Sequence, residues 1–436
     1  MKYILPVLFV GLLLAGCSPG RRIARDLRTK PTYAHHVVGV SVYDPATGKY
    51  LIRHNADRPF TPASNTKLFS FYAGLLTLPD SLPALLYTVR PGVAQPGVAR
   101  TDSLIFWGTG NPLLLHPDLP DTTVLAFLRS RPEKLFFSPT NYTGPRFGPG
   151  WSWADYNEDY SPELAPLPIY GNVVRFSGDV ISPRRFMDSL RIAPDAKPET
   201  DVRRAEFSNQ FVGPRGSITR QDVPFRWSAG LAAQLLADTL HRPVGIVQLL
   251  IPPDARLLRG MVTDSLYKRM LQVSDNQFAE QVLFMMSAER GLVSPGSAQL
   301  QPVAELRRMA DSVLRYPATS AKWADGSGLS RYNLFTPNVL IDLLTKIAAR
   351  VPQQRLFALL PAAGQSGTLQ SMALAGKPYI FAKSGSLTGV YNLSGYLMTK
   401  RGRLLYFSVM NNNFTGPVSA VRRQTAELLA QIHERF

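Results

Sequence analysis

The chain of 436 residues has a single cysteine, Cys17, so no disulfide can form within it. Its six histidines, His35, His36, His54, His116, His241 and His433, keep no metal-ligand spacing and form no His-Glu-x-x-His, so neither a metal nor a cofactor is expected. A Gly-x-Ser-x-Gly elbow and a phosphate-cradling glycine loop are missing as well, which removes two common enzyme signatures. There is no internal repeat and no long low-complexity tract. With 45% hydrophobic and 18% charged residues the composition is that of a folded protein, not a disordered one. Acidic residues are scarce: 31 Asp and Glu stand against 48 Lys and Arg, for a net charge of +17.

What is present begins with compartment. Met1-Lys2 is a short basic start, Ile4 to Ala15 is apolar apart from Pro6 and Gly11, and Leu14-Ala15-Gly16-Cys17 follows. This run is too short to span a bilayer and has the three-part form of a secretory signal. It resembles a bacterial lipoprotein signal in which Cys17 becomes the lipidated first residue, giving an expected membrane-anchored protein of the cell envelope or periplasm. Residues 18–32 then read as a basic tether carrying Arg21, Arg22, Arg25, Arg28 and Lys30. Export argues against nucleic acid as the partner of so basic a chain; anionic envelope polymers and lipid headgroups fit better, beside the plainer reading of a solvated basic surface.

The length allows two or three domains. His36–Tyr43 and Lys49–His54, joined by Pro45-Ala46-Thr47-Gly48, predict a hairpin; Tyr391–Met398 and Leu404–Met410 predict another near the far end, followed by an amphipathic helix over Ser419–Arg435. The two ends are therefore expected to build one sheet. Between them the reading places a catalytic domain over 33–90 and 227–436, interrupted by a mainly β insertion over 91–226. Arg90–Gly97 is the expected exit, Trp227-Ser228-Ala229-Gly230 the return, and Ser103–Trp107 and Asn172–Phe176 are expected strands.

The chemistry centres on Ser64-Asn65-Thr66-Lys67, which precedes the apolar run Leu68–Leu76. A helix starting here puts Ser64 and Lys67 on one face, and a serine becomes a nucleophile when a nearby base takes its proton. Burial lowers a lysine's affinity for its proton, in the direction that base role needs. Ser-x-x-Lys alone is weak, since Ser265-Leu266-Tyr267-Lys268 repeats it on what reads as an ordinary helix. Ser274-Asp275-Asn276 and Lys383-Ser384-Gly385 follow in order, however, and Ser-x-x-Lys, Ser-Asp-Asn and Lys-Thr-Gly together mark penicillin-binding proteins and serine β-lactamases. Ser-Asp-Asn is expected at a bend between helices, and Gly385 after a strand, where glycine allows close approach of a substrate backbone.

With Arg58–Lys67, Asp325–Arg331 and Gly367-Thr368-Leu369, nearly the whole mature chain resembles the low-molecular-mass class C penicillin-binding proteins, the D-alanyl-D-alanine carboxypeptidase/endopeptidase family. The resemblance implies an α+β fold: a β-lactamase/transpeptidase-like α/β/α domain with an antiparallel sheet, interrupted by the insertion. It implies acyl transfer on peptidoglycan stem peptides and cross-links, and acylation by β-lactam antibiotics. Ser64 would attack, Lys67 would be base, Ser274 would relay the leaving group's proton, and Asn276 would hold the substrate amide and Lys67. Lys383 would keep Lys67 neutral by its charge, backbone N–H groups of Ser64 and Ser386 would form the oxyanion hole, and the Ser384 and Ser386 hydroxyls, beside Gly385, would bind the terminal carboxylate. Asp155, in Trp151–Asp155, would take the amino group of a diamino acid. Departures are Lys-Ser-Gly for Lys-Thr-Gly, and Asn111 where the family often has aspartate. A serine β-lactamase and a catalytically silent envelope-binding lipoprotein are the alternatives; the oligomeric state is not legible.

Overall fold

Val38, Val40 and Val42 alternate with smaller or polar residues, so the strand Val37–Asp44 presents one continuous apolar face. In the computed structural model it pairs antiparallel with Lys49–His54 across the expected turn, and with Leu404–Asn412, where Val40 faces Val409. The full sheet runs Ile380–Leu387, Val390–Met398, Leu404–Asn412, Val37–Asp44, Lys49–His54, so the two ends of the chain do build one sheet. On one face it packs against Leu428, Leu429 and Ile432 of the helix Val418–Arg435. On the other, Tyr396, Tyr406 and Met410 meet the helices Lys67–Thr77, Asn276–Val293 and Pro337–Arg350. This is the α/β/α sandwich expected of the catalytic domain.

The structure describes residues 19–92, 101–193, 201–214, 218–293, 299–372 and 376–436. The expected signal with Cys17, and residues 93–97 of the expected exit, lie outside the described residues.

The tether is not one. Pro19–Thr29 is a helix whose Ile23 and Leu27, one turn apart, are 1% and 4% exposed in the same core as the closing helix. Arg22, Arg25 and Arg28 lie on its exposed face. The two apolar residues at i and i+4 decide the structure, and the basic residues around them only fill its exposed face.

The inserted body is also wider than 91–226. Its five-stranded sheet runs Val244–Ile246, Lys134–Phe137, Ser103–Gly108, Ser81–Arg90, Arg256–Val262. Leu86 faces Leu257, so segments before 91 and after 226 close this second sheet rather than the catalytic one. Helix Ala229–Leu240 likewise packs Leu235 and Leu236 into the core of the insertion, with Phe106, Phe137, Phe176 and Phe225. The body thus extends from Ser81 to Val262. An apolar strand such as Ser81–Arg90 announces burial but not which sheet buries it, so the sequence reading cut in the wrong place. The expected runs near 103 and 172 are strands, Ser103–Gly108 and Val173–Gly178.

Candidate active site

A 3-10 turn, Ala63–Thr66, leads into the helix Lys67–Thr77. Residues three apart eclipse in a 3-10 turn, and Lys67 Nζ donates to Ser64 Oγ at 2.9 Å. Its other two hydrogens go to Asn276 Oδ1 at 2.6 Å and the Ser327 carbonyl at 2.8 Å, so the amine is completely committed. The turn is pinned to the sheet: Asn65 Nδ2 donates to Ser394 Oγ at 2.8 Å, and Ser394 in turn to Ser408 at 2.9 Å. Ala63, just before the nucleophile candidate, holds a left-handed φ of 48°. Such conformations persist only where surrounding contacts enforce them.

Ser274 sits in the break between helices Thr263–Gln272 and Asn276–Val293, also left-handed, with φ 66°. Asp275 caps the second helix by accepting from Phe278 N–H at 3.1 Å, and accepts from Arg269 Nε at 3.1 Å. Asn276 therefore projects beside Lys67, while its Nδ2 donates to the Tyr160 carbonyl at 2.8 Å. Lys383 lies within the edge strand Ile380–Leu387 and donates to Ser274 Oγ at 2.9 Å. Ser384 Oγ donates to Thr368 Oγ1 at 2.7 Å. Ser64, Lys67, Ser274, Asn276 and Lys383, drawn from three separate parts of the sequence, thus form two adjacent hydrogen-bonded sets, Ser64–Lys67–Asn276 and Ser274–Lys383. Ser64, Ser274, Asn276, Ser386, Asp155 and Tyr160 line a cleft of about 790 Å³.

Gly385 is also required by the fold itself. A Cβ there would sit 2.5 Å from the Pro62 carbonyl and 3.0 Å from the Ser64 and Asn65 nitrogens. Its missing side chain makes room for the turn carrying Ser64.

Both lysines are wholly buried, and burial drives both toward the neutral form, Lys67 to about 8 and Lys383 well below the usual ammonium range. Their surroundings differ. Asp325, Asp275 and Glu280 all favour a proton on Lys67, whereas the charge of Lys67 works against one on Lys383. At Lys67 the three carboxylates oppose the effect of burial, whereas at Lys383 burial and the charge of Lys67 act together.

Three supporting groups had no role in the sequence reading, although Asp325 opens a segment named there. Glu280 accepts from the Gly326 and Ser327 N–H groups at 3.0 and 2.8 Å; burial and the nearby Asp325 push it up to about 8. Asp325 accepts from Gly328 N–H, Ser330 N–H, Asn333 Nδ2 and Trp151 Nε1, so a residue of the insertion is tied to the loop that supplies Lys67 with an acceptor. Tyr160 is pushed up to about 12 by burial and the carboxylates of Asp155, Glu158 and Asp159, and it hydrogen-bonds Asp155. Glu280 was findable, since it lies four residues after Asn276 on one helix face. The Tyr160 carbonyl carries no side-chain signal. Among the described residues no group of three or more His, Cys, Asp or Glu is placed to hold a metal.

Comparison with known proteins gives the chain its family. The chain is 27% identical over 402 residues to the D-alanyl-D-alanine carboxypeptidase DacB of Haemophilus influenzae, covering 83% of this chain and 82% of that one. It is 28% identical to the D-alanyl-D-alanine carboxypeptidase of Actinomadura sp. strain R39, covering 92% and 82%. The crystal structure of penicillin binding protein 4 (dacB) from Haemophilus influenzae superposes with a TM-score of 0.72 at 22% identity, over 94% of this chain and 99% of that one, and a β-lactam complex of it has been solved. The sequence profile described as D-Ala-D-Ala carboxypeptidase 3 (S13) family matches residues 21–184 and 260–432, and the chain belongs to that family.

Proposed function

We propose that the protein is a serine D-Ala-D-Ala carboxypeptidase, with endopeptidase cleavage of peptide cross-links as a second activity of the same site. The observation that carries this reading is the group in which Lys67 contacts both Ser64 and Asn276 while Lys383 contacts Ser274. Ser64 Oγ attacks the carbonyl of the penultimate D-Ala, and its proton passes to Lys67. The bond to the terminal residue breaks as Ser274 hands its proton to the departing amine and takes one from Lys383, which donates to its Oγ, leaving an ester on Ser64 that water hydrolyses. Backbone N–H groups of Ser64 and Ser386 hold the oxyanion, at about 3 to 4 kcal/mol each in comparable sites.

The two lysines give substrate a part in its own activation. A C-terminal carboxylate held by the Ser384 and Ser386 hydroxyls brings negative charge toward Lys383 and favours a proton there. A cation on Lys383 then opposes one on Lys67, which becomes the neutral base that Ser64 requires. Asp155 lines the cleft, as does Arg331, and the pair suits a diamino acid side chain bearing both charges.

The family and the cleft support peptidoglycan peptides and β-lactams as ligands and the cell envelope as the compartment. A lipid on Cys17 would attach the domain with little slack, because the packed helix begins at Pro19. Among the described residues no helix is long and apolar enough to cross a membrane. The direct test is D-alanine release from a synthetic pentapeptide ending in D-Ala-D-Ala. Release by the purified protein and none by Ser64→Ala is expected; equal release by both sinks the assignment.

A further inference from the structure

A second cavity, of about 670 Å³, adjoins the cleft and shares Tyr160, Ser274 and Asn276 with it. Its far wall comes from the insertion, from Arg175 on Val173–Gly178 and Arg220 and Asp222 on Ile218–Pro224. A single D-alanine leaving the site needs little space, while cavities of this size hold drug-sized ligands.

The wall is built and charged. Arg175 is fixed between Asp118 at 2.8 Å and Asp222 at 2.7 Å, and Arg269 between Asp118 and Asp275, both at 3.1 Å. Other groups are not used up in this way. His116 is 5% exposed; its Nδ1 accepts from the Asp118 and Leu119 N–H groups at 3.2 Å, which leaves the ring hydrogen on Nε2. Among the described residues that Nε2 meets no acceptor, and it abuts Gly171, where a Cβ would come within 3.2 Å. Gln277, also in the wall, has its Nε2 buried without a partner. Arg220 is 60% exposed and, among the described residues, pairs with Asp118 at 3.0 Å. Asp159 has no ion-pair partner among the described residues and faces the carboxylates of Asp222 and Asp275. The chamber thus offers hydrogen-bond donors suited to a carboxylate and, at Asp159, an acceptor suited to an ammonium group.

We propose that this chamber is the subsite for the second peptide of a cross-link, a branch bearing both a carboxylate and an ammonium group, which continues beyond the scissile bond past Ser274. The inference rests on the peptidase reading above and adds a substrate preference to it. It also gives the insertion a task at the site, since the far wall is made of its strands.

The test compares a cross-linked muropeptide dimer with a single pentapeptide, for wild type, Asp159→Asn, Arg220→Ala and His116→Asn. KM for the dimer rises about ten-fold in the variants, and the ratio of kcat/KM for dimer over pentapeptide falls by about the same factor. An unchanged ratio, a proportional loss on both substrates, or a wild type that cleaves only the pentapeptide overturns the subsite. Should His116→Asn not fold, the two more exposed positions still decide it. Wild-type reaction with a fluorescent penicillin separates the two levels: no acylation defeats the peptidase reading and this inference with it, whereas acylation with an unchanged ratio defeats the chamber alone.

Discussion

Replacing Gly385 by alanine tests whether the glycine exists for the nucleophile turn. The added Cβ would lie 2.5 Å from the Pro62 carbonyl, where ordinary contact begins at 3.4 Å, so 3.4 less 2.5 leaves 0.9 Å to be found. No flexible side-chain end can yield it, because the obstructing atoms are backbone: the Pro62 carbonyl and the Ser64 and Asn65 nitrogens. The turn or the edge strand must therefore move by most of an ångström. A misplacement of about 1 Å in reacting groups costs on the order of 100-fold in rate, and overpacking of this kind costs about 1–3 kcal/mol of stability. The assay is the second-order rate of acylation by a fluorescent penicillin, with urea denaturation alongside. Gly416→Ala is the control, since a Cβ there meets nothing within 4 Å. Acylation of Gly385→Ala within two-fold of the control, at unchanged stability, would refute the reasoning and return Gly385 to the role of substrate contact.

Lys67→Met removes the base while leaving Ser64 in place, and acylation is expected to slow by about 1,000-fold, read by stopped-flow fluorescence. Because Lys67 must be neutral to accept the Ser64 proton and its affinity is lowered to about 8, the acylation rate rises with pH up to about 8 and levels above it; a flat profile from pH 6 to 9 contradicts this role. Ser394→Ala strands the buried Asn65 amide and is expected to cost about 1–3 kcal/mol in urea denaturation, with slower acylation as the turn loosens. Ile23→Ala in the first helix costs about 2–5 kcal/mol because that side chain is 1% exposed, where a mere tether would show no change.

The sequence was most legible where local pattern and chemistry coincide. The terminal hairpins have period-two alternation and obvious turns, so their shared sheet followed from strands that no other segment could complete. The candidate site was readable because its members lie in short motifs, although Ser64 and Ser274 stand 210 positions apart. What escaped was set by tertiary context. Ser81–Arg90 reads equally well as a strand of either sheet, and only its pairing with Arg256–Val262 assigns it. Helix Pro19–Thr29 hides two core residues among its arginines. Asp325 bonds backbone N–H groups, and such contacts leave no mark in residue order. The different surroundings of the two lysines depend on Asp325, Asp275 and Glu280, which folding brings near Lys67.

The central claim is that Ser64 is the residue acylated. It is tested most directly by brief exposure of the full protein to a penicillin, followed by intact-mass analysis and peptide mapping. One adduct per chain, on the peptide containing Ser64 and lost in Ser64→Ala, is the expected result. An adduct on any other residue, or none in a folded sample, contradicts it.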